Sequence, residues 1–366
     1  MSIIQIFLTK TFIPSSGINA TGGNAVDVSA GPSGILRKRH IFTGPGTFTV
    51  NSAPPTAVID YILVGGGGGG GTDNASPATF GYSGAGGGAG QFRFGISFPI
   101  TPGNYSVTIG AGGAGGTPSS PYGANGTSST FGPITSVGGG GGAGLPPSYL
   151  NPGGYVGNPG GSGGGSRRYP TYYIPLIPPS NNTVVPGGSP VDTNYGRNGG
   201  GIPASVFVTP QPPATSVHIY NSGFNGSGGG GARNTGPAPI PGPGNAPGRS
   251  PDNSLSSRGG DAAIVPSNYC PINYGGAPPF GNPASATFFA AGGSGGLAQP
   301  APGWSGPAAG PFPPTQGGGG SQNPLHPTGI PAVVNTGSGG GGYGGTVPGS
   351  NGGAGGPGIL VISYIW

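Results

Sequence analysis

Few side chains in this chain can do chemistry, and none of them forms a catalytic pattern. The sequence G-x-S-x-G, which marks a serine nucleophile on a strand-to-helix turn, occurs at residues 160–164 and 292–296. A chain with 90 glycines among 366 residues produces such matches by chance, and no helical pattern follows either one. We therefore expect that the protein is not an enzyme.

The chain also lacks the residue patterns that a metal site or a phosphate site needs. His40, His218 and His326 are isolated from one another, and the six acidic residues, all aspartates, never occur at the spacing of a metal site or a carboxylate pair. A phosphate-binding loop needs Gly-Lys followed by Ser or Thr, and the only lysines are Lys10 and Lys38. The sequence predicts neither a metal nor a cofactor, although a cluster assembled only by the fold stays open.

The remaining candidate role for side chains is binding of a partner by aromatic and arginine residues. Residues 166–183 place five such side chains beside a proline-rich apolar run: Arg167, Arg168, Tyr169, Tyr172 and Tyr173. Tyr and Arg are enriched at binding hot spots, and prolines restrict an unbound segment and so reduce the entropy that it loses on binding. Four aromatic residues in other long segments are candidates for the same role: Tyr269, Tyr274, Phe280 and Trp304. The alternative for each aromatic residue is burial against the scaffold.

The distribution of charge and apolar residues excludes two classes of partner. The 11 Lys and Arg residues against six acidic ones give a formal net charge of +5. Five cations sit in two short clusters, 37–39 and 167–168, and Arg-Gly-Gly occurs once, so we expect no nucleic-acid binding. No apolar run reaches about 18 residues, which argues against membrane insertion. Residues 1–10 are apolar but lack the basic start and cleavage site of a signal peptide, and we expect them to form a strand.

Glycine determines the scaffold that positions these residues. The longest tract is the seven glycines at 65–71, and glycine and proline supply 90 and 47 residues of the chain. Such a composition is typical of disorder, but disordered segments usually carry high charge and this chain does not. Glycine segments can be ordered when their backbone groups pair at close approach, as in polyproline-II-like helices packed side by side. We expect polyglycine-II-like helices joined by long proline-rich loops, and alternate loops then share one tip.

Strand patterns gather at the two ends of the sequence. β-branched and aromatic runs occur at 41–50, 57–64, 91–98, 104–109 and 359–366. In one of these runs, the alternation places four side chains on one predicted face: Phe92, Phe94, Ile96 and Phe98. No segment has a helical 3.6-residue period with caps.

The predicted fold is therefore mostly β with irregular segments and little or no α-helix. We expect a small β-sandwich, formed by N- and C-terminal strands, that carries the bundle of polyglycine-II-like helices and the long proline-rich loops. The chain divides into an N-terminal attachment or assembly segment, 1–40, and a glycine-rich domain, 41–366. The last strand, 359–366, closes that domain.

Five short sequences carry a resemblance to a known family. They are FTGPGTFTV at 42–50, the strand end and glycines at 64–71, ITPGNYSVTIGAGGAGG at 100–116, GTSSTFG at 126–132 and GGAGGPGILVISY at 352–364. In order and spacing they resemble the glycine-rich domains of bacteriophage tail-fibre and receptor-binding proteins, over residues 41–144 and the last 15 residues. The resemblance implies polyglycine-II helices in a sandwich and variable loops that bind the host surface. It implies a virion structural protein more firmly than an adhesin, because related domains occur in other virion proteins.

The sequence and the resemblance together predict a non-enzymatic virion structural protein, in first place a tail-fibre or tail-tip adhesin. Its loops would bind a host cell-surface receptor, either protein or glycan. We expect contacts with other fibre or baseplate proteins, exposure on the particle surface and synthesis in the host cytoplasm, and we leave homo-oligomerisation open. One alternative is a structural fibre, decoration or minor capsid subunit that contacts other virion proteins. A more distant one is an ice-binding or cell-wall glycine-rich protein, whose typical Gly-x-x triplets, disulfides and secretion signal are missing.

Overall fold

The described part of the chain is built from β-strands and glycine-rich segments. A computed structural model describes residues 16–30, 34–72, 82–144, 156–166, 187–191, 199, 207–208, 219–220, 229–231, 259–260, 262–266, 269–270, 286–296, 328–345 and 350–366. No residue in these ranges lies in an α-helix. The prediction of a mostly β protein is therefore confirmed over this part.

Ten strands form two antiparallel sheets of five strands each. The first sheet contains, in spatial order, β1 (Asn19–Thr21), β4 (Gly46–Ser52), β8 (Gly103–Thr108), β9 (Ser129–Phe131) and β10 (Ile134–Ser136). The second sheet contains β2 (Ala25–Ala30), β3 (Leu36–Phe42), β16 (Ile359–Ile365), β5 (Val58–Val64) and β7 (Phe92–Pro99). Six short strands pair elsewhere: β6 (Tyr82–Ser83) with β15 (Gly344–Gly345), β11 (Phe207–Val208) with β12 (Ile219–Tyr220), and β13 (Ala263–Pro266) with β14 (Ala286–Phe289).

The two sheets face each other across an apolar core, which makes them a sandwich. Phe48 and Phe131 of the first sheet pack in the same cluster as Leu63 and Leu360 of the second. The strand predicted at 359–366 is confirmed as β16, which lies in the middle of the second sheet between β3 and β5.

The outer face of the second sheet is also buried, which explains why β16 is apolar on both sides. Leu360 points into the sandwich, whereas Val361 belongs to a second cluster on the outer face. The antiparallel pair of β13 and β14 covers this face, and the rings of Phe92 and Phe289 stack there with centroids 6.4 Å apart. A strand buried on both faces reads as a continuous apolar run rather than an alternating one.

The single aromatic face predicted for residues 91–98 is wrong. Phe92 packs on the outer face of the second sheet, whereas Phe98 packs against the core between the sheets. The cause is a β-bulge opposite residues 59–61, where Ser97 has a φ of 56°. One extra residue in a strand reverses the faces of all residues that follow it.

The sandwich also includes part of the segment predicted to serve attachment. β1 and β2 lie before residue 41, and β3 runs across this boundary. The strand predicted for residues 1–10 lies outside the described residues. The attachment or assembly role of residues 1–40 stays a prediction.

The glycine-rich segment at 65–72 continues from the end of β5 and is surrounded by other segments. All its N–H groups donate hydrogen bonds to backbone carbonyls of these segments, over 2.8–3.0 Å. The acceptor segments alternate with a period of three residues: every third N–H donates to the segment at 85–91, and the others donate to 121–127 and 353–356. These three neighbours run antiparallel to the segment.

The carbonyl groups of the same segment accept hydrogen bonds from three further neighbours, which run parallel to it. The donors lie at 113–116, 139–142 and 340–343, again at three-residue intervals and over 2.8–3.0 Å. Each net hydrogen bond contributes about 1 kcal/mol, which offsets the extra entropy of about 0.5–1 kcal/mol that an ordered glycine loses relative to alanine. We call the segments that pair in this way the glycine bundle: residues 65–72, 84–91, 110–116, 121–127, 137–144, 156–166, 290–296, 328–343 and 350–358, with shorter stretches between them.

Close approach of backbones makes glycine necessary inside the bundle. A Cβ added at any of the glycines 65–71 would lie 2.0–2.3 Å from a carbonyl oxygen of a neighbouring segment. In the outer segment AGGAGG at 111–116, alanine recurs every third residue, and both Ala111 and Ala114 are exposed. Side chains are therefore accommodated on the face of an outer segment that points away from its neighbours.

Buried hydroxyl groups join the sandwich to the bundle. Ser129 Oγ donates to the carbonyl of Val64 over 2.7 Å and accepts the N–H of Gly110 over 2.8 Å. Ser136 Oγ accepts the N–H of Gly65 over 3.1 Å. These hydroxyls form hydrogen bonds with buried backbone groups at the boundary between the strands and the glycine bundle.

A methyl group inside the bundle should destabilise the protein. We expect Gly68→Ala to reduce the free energy of unfolding by about 1–3 kcal/mol or more, because its Cβ would lie 2.2 Å from the carbonyl oxygen of Gly140. Chemical denaturation would measure this change. The matched control is Gly44→Ala, which has no atom within 4 Å of the new Cβ and should change stability by less than about 0.5 kcal/mol. Equal stability of the two variants would contradict the requirement for glycine.

Candidate binding surface

On the side away from the two sheets, neighbouring segments of the glycine bundle are joined in one layer. Gly71, Ala85 and Ala143 each lie seven residues from a strand of the sandwich, which is β5, β7 and β10 respectively. The N–H of Gly71 donates to Ala85 over 2.8 Å, and the N–H of Ala85 donates to Ala143 over 2.9 Å. Ala143 donates in turn to Gly165 over 3.0 Å. We call these four residues the far layer.

Three described stretches of the chain end one residue after a member of the far layer, at Thr72, Gly144 and Ser166. After Ser166 the described chain resumes at residue 187, and the next residue, Gly188, donates to Gly164 over 2.9 Å. Ser350, which also borders residues outside the described ranges, accepts the hydroxyl of Thr72 over 2.6 Å. The far layer therefore lies where stretches of nine, 11 and 20 residues begin, after Thr72, Gly144 and Ser166.

Most of the predicted binding residues lie outside the described residues. These are Arg167, Arg168, Tyr169, Tyr172, Tyr173, Tyr274, Phe280 and Trp304. The first five directly follow Ser166, whose hydroxyl accepts the N–H of Gly157 over 3.1 Å inside the bundle. The starting point of this arginine and tyrosine segment is thus fixed at the far layer.

Tyr269 is the one predicted binding residue within the described ranges, and it lies on the outer face of the second sheet. Its ring contacts Phe94 edge-on with centroids 5.0 Å apart, and the Arg37 guanidinium lies 5.4 Å from its centre. It is half-buried against the second apolar cluster. This packing fits the alternative that was open for each aromatic residue, burial against the scaffold.

The basic cluster at 37–39 is divided between the two faces of the second sheet. On the outer face, Arg37 pairs with Asp60, and Arg39 Nη1 lies 2.8 Å from Asp27 Oδ2. Lys38 lies on the other face, with its ammonium 4.3 Å from the centre of the Trp366 ring. Two of the three cations are therefore neutralised by aspartates of the same sheet, Arg39 by Asp27 on the adjacent strand β2 and Arg37 by Asp60 on β5, beyond β16.

A buried histidine and tyrosine pair lies in the sandwich. His40 Nδ1 lies 2.8 Å from the Gly22 carbonyl, which can only accept, so Nδ1 carries the proton and Nε2 accepts the Tyr364 hydroxyl over 3.0 Å. Burial lowers the pKa of His40 below 6.5, and the Lys38 ammonium acts in the same direction against the Gly22 hydrogen bond. Burial raises the pKa of Tyr364 to about 12. Both groups are therefore held neutral and serve the packing of the core.

The serines of the two G-x-S-x-G matches are part of the scaffold. Ser162 is fully buried, and its hydroxyl donates to the Gly231 carbonyl over 2.7 Å. Ser294 is also buried, in a segment that pairs with other glycine segments. Neither serine is part of a strand-to-helix turn.

Among the described residues, no three His, Cys, Asp or Glu side chains come together in an arrangement that could hold a metal ion. The described ranges also contain no helix of the length and apolarity needed to cross a membrane. Cys270 is buried in the second apolar cluster.

Comparison with known proteins identifies the glycine-rich part of the chain. A family model described as a glycine-rich domain matches residues 43–172. This range includes β4, β5, β7 to β10 and the first segments of the glycine bundle. The comparison with curated proteins found no match. Over residues 43–172, the chain is therefore similar to a glycine-rich domain family.

His40 should make the protein less stable in mild acid. Because the folded state disfavours the imidazolium, the unfolded chain binds the proton more readily, and the free energy of unfolding should fall as the pH drops below about 6.5. Urea denaturation at a series of pH values would measure this slope, and His40→Gln should make it flatter. Identical slopes for the two proteins would contradict the role of His40.

Tyr364 should make the protein less stable in alkali. The folded state retains the Tyr364 proton up to a pKa of about 12, whereas the unfolded chain loses it near 10, so stability should fall between these pH values. Tyr364→Phe has no such group, and its unfolding free energy should fall less over the same range. An equal alkaline loss in the variant would show that other groups cause it.

Proposed function

We propose that the protein is a non-enzymatic virion protein, at a tail fibre or tail tip, that binds a host-surface receptor through the segments starting and ending at the far layer. The observation that carries this proposal is the convergence of Thr72, Gly144 and Ser166 on one end of the glycine bundle, next to Gly188 and Ser350. Segments that leave a rigid base side by side can present one continuous surface. Their sequences can vary without disturbing the hydrogen bonds of the base.

We further propose that the glycine segments are polyglycine-II helices joined by proline-rich loops. The three-residue recurrence of hydrogen bonds around residues 65–72 supports this assignment, since polyproline-II-like helices have three residues per turn. With a rise of about 3.1 Å per residue, the seven residue steps from Val64 to Gly71 would place the far layer about 22 Å from the second sheet. The proposed loops would then stand well clear of the sandwich.

The composition of residues 167–185 supports recognition of a receptor. Arginine and tyrosine offer large contact area with hydrogen-bonding groups, and tyrosine loses little conformational entropy on binding. The prolines of this segment reduce the ordering cost further. The proposed contact residues are Arg167, Arg168, Tyr169, Tyr172 and Tyr173.

The opposite end of the molecule supports attachment to the particle. The N–H of Ser16 donates to the Ile365 carbonyl over 3.1 Å, beside the exposed Trp366. β16 runs away from the bundle, so this corner lies at the end of the second sheet opposite to the far layer. Attachment to other fibre or baseplate proteins at this corner would leave the far layer free on the surface of the particle. Synthesis in the host cytoplasm belongs to the same proposal.

Exchange of residues 167–185 for a glycine-serine segment of equal length should abolish or alter binding to host cells. The exchange begins after Ser166, because the hydroxyl of Ser166 is part of the bundle. Binding of fluorescently labelled protein to susceptible cells, and its competition with intact particles, would measure the effect. The control is Val58→Thr, which keeps a β-branched side chain at an exposed position in the sandwich and should leave both binding and melting unchanged.

Unchanged cell binding after the exchange of every long segment at the far layer would contradict the receptor proposal. Immunogold labelling of particles separates it from the alternative of a structural or decoration subunit. Label at the fibre or tail tip is the expected result. Label along the shell, together with far-layer segments that contact other virion proteins, would favour the alternative.

A further inference from the structure

An apolar strip is exposed on one side of the sandwich. Val26 and Val28 on β2 are 52% and 46% exposed, and Leu36 and Trp366 are 43% and 48% exposed. The pairing of β2 with β3 places Val28 opposite Lys38, and the N–H of Trp366 donates to Leu36. The strip lies on the same face as the buried His40, at the margin that the first sheet leaves uncovered.

The strand that carries the two valines is also an edge. Within the described residues, β2 pairs with β3 on one side and with no strand on the other. Natural proteins protect such edges by charged side chains, prolines or bulges. The only charge on β2 is Asp27, and it is held by Arg39 Nη1 at 2.8 Å and by the Ser29 hydroxyl at 2.8 Å. Among the described residues, nothing pairs with this edge or protects it against another strand.

We propose that two copies of this chain pair antiparallel along β2, with Val28 on the two-fold axis, to form a dimer with one continuous ten-stranded sheet. This register places Val28 opposite Val28 of the second copy. It places Val26 opposite Ala30 and Asp27 opposite Ser29, so that small and apolar side chains face each other. The exposed valines of both copies then cover one another.

Charge complementarity favours this register of β2 against a second copy of itself. A two-fold axis at Asp27 would place two carboxylates directly opposite, which is destabilising, whereas an axis at Val28 pairs each carboxylate with a hydroxyl. The two Lys38 ammonium groups would be three strand spacings apart, about 14 Å, and so beyond the Debye length of about 8–10 Å. The strand is thus complementary to itself without any further partner.

Variants that each add one exposed cysteine to the buried Cys270 test the register. In the proposed dimer, the two copies of Val28→Cys have Cα atoms about 4.5–5.5 Å apart, within disulfide range. Oxidation should convert most of this variant into a covalent dimer on a non-reducing gel. The matched control is Val26→Cys, whose two copies are offset by four residues, about 13 Å, and should remain largely monomeric. Equal cross-linking of both variants, or more for Val26→Cys, would overturn the register.

Sedimentation of the unmodified protein tests the dimer itself. The full chain should sediment as a dimer, and Val28→Lys should weaken the association by about tenfold or more by placing two cations on the axis. Val334→Lys, at a 66% exposed position elsewhere, is the control for an added surface charge and should remain dimeric. Unchanged melting of both variants would show that they fold.

Three results would overturn the proposal. One is a monomer at all concentrations, and another is a dimer that persists in Val28→Lys. The third is a monomer that becomes a dimer only after deletion of residues 1–15, which would assign the β2 edge to that segment of the same chain.

Discussion

The fold depends on contact between backbones that carry no Cβ atoms. Around residues 65–72, every N–H donates to a neighbouring segment, and a methyl group at any of the seven glycines would lie within 2.3 Å of a carbonyl oxygen. The hydrogen bonds and the close spacing require each other. Six neighbouring segments can approach residues 65–71 only because these glycines have no side chains. The hydrogen bonds to the neighbours offset the conformational entropy that the ordered glycines lose.

The sandwich gives this bundle its order. β5, β7, β8, β9, β10 and β16 each continue into or out of a glycine segment, so strand pairing fixes which segments are neighbours and in which direction they run. Buried serine hydroxyls, such as that of Ser129, satisfy backbone groups where the two patterns meet. The far layer is the consequence at the other end: Gly71, Ala85 and Ala143 lie at the same distance along their segments and are linked in a row.

Much of the scaffold could be predicted from the sequence, because its patterns are local. The β-branched and aromatic runs at 57–64 and 359–366 predicted β5 and β16, and the absence of a 3.6-residue period agrees with the lack of helix in the described ranges. The bulge at Ser97 was missed, since an extra residue that reverses the faces of β7 depends on pairing with β5. The alanines at every third position of AGGAGG, 111–116, are a sequence pattern that could have predicted a glycine segment with one outward face.

The candidate binding residues were less accessible to prediction, because composition does not distinguish a residue that packs from one that binds. Tyr269 has the same residue type as the candidate Tyr172, yet it lies under Arg37 on the second sheet. The two valines of β2 received no role in the sequence analysis, since alternation along six residues does not tell whether a face is covered.

Amide hydrogen exchange tests the central claim most directly. Under native conditions, the N–H groups of residues 65–72 should exchange as slowly as those of β5 and β16, since each donates to a carbonyl within a buried bundle. Protection should extend to Gly68 and Gly69 in the middle of the segment, where no side chain shields the backbone. Rapid exchange of these glycines, with β5 and β16 still protected, would contradict the claim that backbone hydrogen bonds between glycine segments hold the structure together.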